Sequence, residues 1–226
     1  HSAAYVFGAM LVKFDPSCFD VIAYSNTKKE DALTQHFQKS VTCWRRIVEL
    51  SDDAVANLIR QDNIDILVDL SGHSGGNRLL VFARKPAPIQ ITAWGYATST
   101  GMRAIDVFFA DPVVVPPDEK RFYTEQVIYL PSVVGQFLTH EFPAVNRLPA
   151  LSSEWITFGS FNRLVKISED VLKVWAKVLL AIPHSRIIFK TADLDYTDTG
   201  ARIIHHFTQA GISPERITLQ GRTHPN

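Results

Sequence analysis

From residue 155 onward the sequence alternates between short β-branched runs and amphipathic helical patterns, and that alternation leaves few folds open. Trp155 to Gly159 reads as a strand. Ser168 then offers a cap for a helix in which Val171, Leu172, Trp175, Val178, Leu179 and Ile182 recur at helical spacing until Pro183 stops it. Arg186 to Lys190 is a second strand, Thr199 to Ala210 a second helix closed by Gly211, and Ile217 to Gln220 a third strand. Strands joined through helices pair in parallel, so this stretch reads as half of a doubly wound domain.

The preceding residues repeat the theme less regularly. Strand-like runs lie at Phe19 to Tyr24, Ile64 to Leu70, Ile89 to Trp94, Val107 to Ala110 and Val127 to Leu130. Helical patterns occupy Ser2 to Lys13, Ala54 to Arg60 behind the cap signal Ser51-Asp52-Asp53, and Arg78 to Arg84 after a glycine-rich turn. Periodicity lapses between Gly135 and Ser153, where Pro143 and Pro149 stand, so a linker is expected there and two α/β units at 1–145 and 146–226.

Charge and cysteine usage narrow the function classes. Lys plus Arg number 23, and so do Asp plus Glu, so no net field draws the chain to nucleic acid or to an anionic membrane. Cys18 and Cys43 form neither a metal-type spacing nor a disulfide framework, which suits a reducing compartment. No apolar run reaches the ~20 residues a bilayer requires, and no leader opens the chain, so a cytoplasmic protein is expected. Both ends read as cut, since the chain opens on His1 without a methionine and stops at Pro225-Asn226 just after a strand-like run.

Several loops carry candidate chemistry. Ser71-Gly72-His73-Ser74-Gly75-Gly76-Asn77 contains G-x-S-x-G between a strand and a helix. Three readings stand side by side: a nucleophile elbow with Ser74 attacking an acyl carbon and a downstream His184, His205, His206 or His224 as base; a structural turn; or a ligand-facing glycine loop. The restart of the strand–helix pattern at residue 155 favours two lobes over one continuous hydrolase sheet. Lys85-Pro86-Ala87-Pro88-Ile89-Gln90 is a rigid lead into a strand, since two prolines fix φ and remove donors. Trp94 to Gly101 follows that strand, and its small and hydroxyl residues at the strand's carboxyl end read either as a sugar- or acceptor-facing loop, the favoured reading, or as a plain turn. Gly159 to Lys166 joins the next strand to a helix amino terminus, a phosphate position in which Lys166 adds a full charge, although the spacing is neither GxGxxG nor a Walker A loop and a lysine near a helix start is more often simply solvated. Asp193-Leu194-Asp195 imitates a D-x-D metal signature but precedes a helix, where acids complement the dipole. His205-His206 reads as a surface pair.

In this order the pieces resemble the O-GlcNAc transferase family, with its plant SPINDLY-type and bacterial relatives. The resemblance rests on Asp65 to His73, Arg84 to Gln90, Trp94-Gly95-Tyr96 to Gly101, and Phe158 through Lys166. It implies a GT-B-like α/β architecture of two nucleotide-fold lobes facing a cleft, the second incomplete here. It also implies an inverting, metal-independent transfer of a sugar, foremost N-acetylglucosamine from UDP-GlcNAc, to Ser or Thr of proteins. No cofactor is implied beyond the UDP-sugar co-substrate. The implied partners are that nucleotide-sugar donor, a protein acceptor and a helical-repeat (TPR) region in the parent chain, with no nucleic acid and no membrane. Protein O-fucosylation from GDP-fucose is the nearest alternative, because SPINDLY-type relatives use that donor; a serine hydrolase built on Ser74 is the alternative of another class.

Residue by residue, the resemblance makes Lys166 the lysine that meets the donor diphosphate and His1 an active-site histidine, either a base or an acceptor-orienting group. Asn162, Arg163, Arg222, Thr223 and His224 fall on donor-binding positions, with Arg163 in place of a mammalian Gln and Pro225 in place of a Lys. Gly72, His73, Trp94, Gly95 and Tyr96 fall on the sugar and acceptor loops. Two departures are Ala97 in place of a Pro and Arg60 in place of another active-site His. The family's Gly/Thr-rich phosphate loop is not reached before Asn226, so the activity is assigned to the parent protein.

Overall fold

In the computed structural model, which describes residues 2–133, 144–195 and 197–223, the chain divides into two units, His1–Glu141 and Phe142–Asn226. His1, His224 and residues 135–143 of the expected 135–153 linker lie outside the described residues.

The first unit runs α1 (Ser2–Leu11), β1 (Ile22–Ser25), α2 (Ala32–Gln38), β2 (Cys43–Arg46), α3 (Asp52–Gln61), β3 (Ile66–Asp69), α4 (Leu79–Ala83), β4 (Ile89–Thr92), β5 (Val107–Ala110) and β6 (Gln126–Tyr129). β1 and β2 pair in parallel, and β3-β4-β5-β6 form a second parallel sheet. The cap signal acts as expected: the Ser51 hydroxyl accepts the Ala54 N–H at 3.2 Å and starts α3. Val55, Ala56 and Ile59 of that helix then bury against Ile47, Leu67, Leu79, Val81, Phe82 and Ile105. Asp62, at the end of α3, receives Arg45 through two bonds of 2.7 and 3.3 Å and the Tyr24 hydroxyl at 2.7 Å, fastening β1 and β2 to the helix. The Arg45 hydrogen bonds hold the Asp62 carboxyl below the usual range, and burial together with Asp62 pushes the Tyr24 phenol up.

α2 and β2 were not legible in the sequence. Ala32–Gln38 is short and mostly polar, and its start depends on a reciprocal box between Asp31 and Thr34. Cys43–Arg46 ends in two arginines and has no apolar alternation to announce a strand. β1 begins later than the apolar run because Phe19 stays 52% exposed outside the sheet. β4 stops at Thr92 rather than Trp94 because Trp94 takes φ 60°, which no strand residue adopts.

The Arg84–Gln90 run is scaffolding at the amino edge of the sheet. Lys85, at φ 45°, places its ammonium on the Asp106 carboxylate and the Ala104 carbonyl. The fully buried Gln90 donates to the Phe82 and Ala104 carbonyls at 2.9 and 2.7 Å.

The second unit is β7 (Ile156–Ser160), α5 (Glu169–Ala181), β8 (Ser185–Lys190), α6 (Thr197–Gln209) and β9 (Ile217–Gln220), with all strands parallel in the order β7-β8-β9. Phe158, Ile187, Phe189 and Ile217 turn to one face, where they pack with Leu172, Ala176 and Leu179 of α5 and Ile203 and Phe207 of α6. Arg216 closes the base of this core, donating to the carbonyls of Leu179, Ile182 and Ser185 at 2.6, 3.0 and 2.7 Å. The β-α-β-α-β reading is realised element for element, because each helix has a stripe of large apolar side chains wide enough to cover the sheet.

Candidate functional site

Parallel strands leave their carboxyl ends along one edge of a sheet, and open α/β sheets take ligands there. In the first unit that edge carries the 71–77 turn after β3 and the 94–101 loop after β4, which fit closely against each other and are each anchored by a buried carboxylate. Asp69, the last residue of β3 and 4% exposed, accepts the N–H of Ser71 at 3.1 Å and of Gly72 at 2.8 Å, and the Thr92 hydroxyl at 2.7 Å. Glu125, also 4% exposed, accepts the Ser99 hydroxyl at 2.7 Å, the Thr100 N–H at 2.8 Å and the Thr100 hydroxyl. A side chain on Gly72, which sits at φ +51°, would overlap Tyr96, and one on Gly95 would overlap the Leu70 carbonyl.

His73 spans the two loops. Its Nε2 lies 2.9 Å from the Thr100 carbonyl, and its ring meets Tyr96 edge-on at 5.8 Å. A carbonyl only accepts, so Nε2 carries a proton and donates it to Thr100. Trp94, at φ 60°, is a bulky residue in a region that favours glycine, a strain of the kind that collects at ligand-facing loops.

Ser74 has no elbow. Its backbone is not among the positive-φ residues, its N–H closes a turn to Ser71 at 3.1 Å, and α4 begins only at Leu79. His73, the adjacent histidine, is committed to Thr100. The turn-and-ligand-loop readings therefore stand, and the nucleophile reading lacks its geometry. Arg60 is likewise removed from this edge. It lies in the last turn of α3, which delivers the chain to the amino end of β3, and its guanidinium binds the Arg84 carbonyl at 2.7 Å and Asn57 at 2.9 Å. The position that the resemblance matched to an active-site histidine is a scaffold position in this chain.

In the second unit the carboxyl edge gathers Phe161 to Ile167 after β7, the 3-10 turn Ala192–Asp195 after β8, and Gly221 to Thr223 after β9. Leu164–Lys166 forms a 3-10 turn ahead of the Ser168 cap of α5. Asn162, Arg163 and Lys166 are exposed, and no hydrogen bond or ion pair engages the side chains of Arg163 and Lys166 among the described residues. Ser160, the last residue of β7, is 5% exposed and its hydroxyl has no partner there. The helix terminus itself is less free than its position suggested: Glu169 and Asp170 occupy the first turn of α5 and already complement its dipole. An anion on this edge must be met mainly by side-chain cations.

Asp193 and Asp195 stand directly ahead of α6, as the sequence reading placed them, and their side chains also hold the two neighbouring loops. Asp193 accepts the Leu164 N–H at 3.0 Å, and Asp195 accepts the Arg222 N–H at 2.9 Å with its other oxygen 4.0 Å from Arg222 Nε. Sequence reading missed these tethers and those of Asp69 and Glu125. An acid immediately before a glycine turn is a local signal for Asp69. Glu125 lies 25 residues from the loop it holds and gave no such signal.

Units of this kind, parallel sheets with glycine- and cation-bearing loops at the carboxyl edge, belong to the doubly wound α/β class. The model of glycosyl transferase family 41 matches residues 1–143, and the chain belongs to that family. It is 38% identical over 227 residues to the probable UDP-N-acetylglucosamine–peptide N-acetylglucosaminyltransferase SPINDLY of Solanum lycopersicum, covering 97% of this chain and 24% of that protein. It is 26% identical over 231 residues to the protein of the same description called SEC in Arabidopsis thaliana, covering 96% and 23%. Among solved structures, a mutant O-GlcNAc transferase of Thermobaculum terrenum superposes with a TM-score of 0.91 at 33% identity, over 99% of this chain and 43% of that one. The chain thus spans about a quarter of the length of the curated relatives it matches. The expected α/β, GT-B-like fold class is the one found. No helix among the described residues is long and apolar enough to cross a membrane.

Proposed function

We propose that the parent protein transfers a sugar, N-acetylglucosamine from UDP-GlcNAc, to Ser or Thr of proteins, with inversion and without a metal. The observation that carries this reading is the carboxyl edge of β7-β8-β9, where Arg163 and Lys166 stand exposed on one loop with side chains that meet no partner among the described residues, and Arg222 stands on another. In the proposed reaction an acceptor hydroxyl attacks the anomeric carbon as the bond from that carbon to the diphosphate oxygen breaks. Negative charge moves onto the diphosphate, and Lys166 meets it with Arg163 alongside. Asn162, Arg222, Thr223 and His224 contact the rest of the nucleotide.

The acceptor belongs to the 1–145 unit, where Gly72, His73, Trp94, Gly95 and Tyr96 shape the loops; the donor belongs to 146–226. His1 serves that acceptor as a base or an orienting group. The names of the relatives support a UDP-GlcNAc donor, and their greater length leaves room for a helical-repeat region. A cytoplasmic location agrees with the unbridged Cys18 and Cys43.

Lys166→Ala in the full-length protein tests the reading. Removing one preorganised donor to a developing negative charge costs ~3 kcal/mol, roughly a hundredfold in turnover at saturating donor. The melting temperature is expected to hold, because an exposed lysine contributes little stability. Near-normal turnover in the folded variant removes Lys166 from the reaction. Competition by UDP against GDP, measured on the wild type, decides between N-acetylglucosamine and fucose donors.

A further inference from the structure

We propose that Asp193 and Asp195 are positioning residues that set the two donor-facing loops of the second unit from one shared turn. The inference rests on the reading of the β7-β8-β9 edge as the donor site. β8 lies between β7 and β9, so the turn that follows it reaches both neighbouring loops at once.

On one side, Asp193 Oδ2 accepts the Leu164 N–H at 3.0 Å and faces the Thr191 hydroxyl at 3.4 Å. Leu164 is itself 6% exposed in the core, and the 3-10 turn it begins closes through Lys166 N–H to the Arg163 carbonyl at 3.0 Å. Lys166 therefore extends from a peptide fixed by the core on one side and by a carboxylate on the other. On the second side, Asp195 Oδ1 accepts the Arg222 N–H at 2.9 Å and fills the space that a Gly221 side chain would need. Lys190 Nζ donates to the Gly221 carbonyl at 3.1 Å, so the backbone ahead of Arg222 is clamped through both its acceptor and its donor. With these bonds the D-x-D run serves loop placement: each aspartate has an oxygen turned to a backbone N–H of a different loop.

The two loops carry different work, which makes the proposal separable from a general loss of structure. Lys166 meets charge that appears as the bond breaks, so misplacing it lowers kcat. Arg222 contacts donor in ground and transition state alike, so misplacing it raises KM. A backbone N–H bound to a carboxylate is a charge-assisted bond whose loss is worth about tenfold.

The test measures nucleotide release from UDP-GlcNAc and from GDP-fucose by the full-length protein, together with calorimetric binding of UDP and GDP. Asp193→Ala is expected to lower kcat about tenfold, with a smaller rise in donor KM through Asn162 on the same loop. Asp195→Ala is expected to raise donor KM and nucleotide Kd about tenfold with kcat nearly constant. Asp193→Asn and Asp195→Asn each keep a side-chain oxygen for the N–H and are expected to restore most of the loss. Four results overturn the proposal: wild-type kinetics in both alanine variants, asparagine as damaging as alanine, kcat and KM changing together with a fallen melting temperature, or a chelator reproducing the alanine phenotype in the wild type. Lys166→Ala run in parallel separates the two levels: normal turnover there defeats the donor-site reading itself, whereas a silent aspartate pair beside a crippled Lys166→Ala defeats only the positioning.

Discussion

Four glycines at the carboxyl edge of the first unit differ in what an added methyl group would meet, so replacing each by alanine separates two costs that are usually entangled. At Gly75 a Cβ finds nothing within 4 Å and φ lies outside the left-handed region, so the change is expected to be nearly neutral. At Gly76 the space is equally open but φ is +77°, and alanine there costs about 1–2 kcal/mol of backbone strain. At Gly95 the cost is steric: the methyl group overlaps the Leu70 carbonyl and the Ser71 nitrogen, backbone atoms that cannot rotate away, for about 1–3 kcal/mol. At Gly72 both apply, since φ is +51° and Tyr96 occupies the site, so about 2–5 kcal/mol follows from adding the two. For a chain of this length each kcal/mol lowers the melting temperature by roughly 2–4 °C. Thermal unfolding followed by circular dichroism should therefore rank Gly75→Ala as mildest and Gly72→Ala as most severe. A Gly75→Ala variant as unstable as Gly95→Ala, or a Gly76→Ala variant worse than Gly72→Ala, would refute the close fit of the two loops.

Three further outcomes are expected. Glu125→Ala leaves the Thr100 N–H and two hydroxyls without their buried acceptor, so hydrogen exchange at residues 99–101 should accelerate sharply; unchanged protection there would contradict the anchor. Asp62 is held in its ionised form by Arg45, so its contribution to stability is present above the ordinary carboxyl value of about 3.9 and disappears as pH falls through the lower folded value. The melting-temperature gap between wild type and Asp62→Asn should accordingly be constant near neutral pH and close below about pH 4; a gap that persists in acid would assign it to something other than the ion pair. Ser74→Ala should leave sugar transfer largely intact, and loss of an esterase activity in that variant would revive the nucleophile reading.

What the sequence made legible follows from where the determining contacts lie along the chain. α5 announced itself because its cap, Ser168, and its apolar stripe are local and periodic. β7, β8 and β9 were recognisable because each is a short run rich in β-branched or aromatic residues beside such a helix. The loops that carry the candidate chemistry could also be placed, since a parallel sheet fixes them at strand ends. Their fastening was hidden, because Glu125 acts across 25 positions and Asp193 across 29, and no local pattern encodes a partner at that distance. The D-x-D run shows the hazard directly: the same letters suit a metal, a helix dipole or a backbone tether, and only the spatial neighbours of Asp193 and Asp195 separate these.

The 94–101 loop is held at both ends and free in its middle. Gly95 and Tyr96 are wedged against Leu70 and Gly72, Thr100 is fixed by Glu125, and between them the Ala97 carbonyl, which receives the Tyr123 hydroxyl at 3.1 Å, is the one restraint on the exposed pair Ala97-Thr98 among the described residues. Such a loop is a mounting with an interchangeable tip. Selection can change side chains at 97 and 98 without disturbing the mounting, whereas a change at the wedged residues disturbs both loops together. A library randomised at 97 and 98 should consequently yield a high proportion of folded proteins, whereas one randomised at 95 and 96 should not.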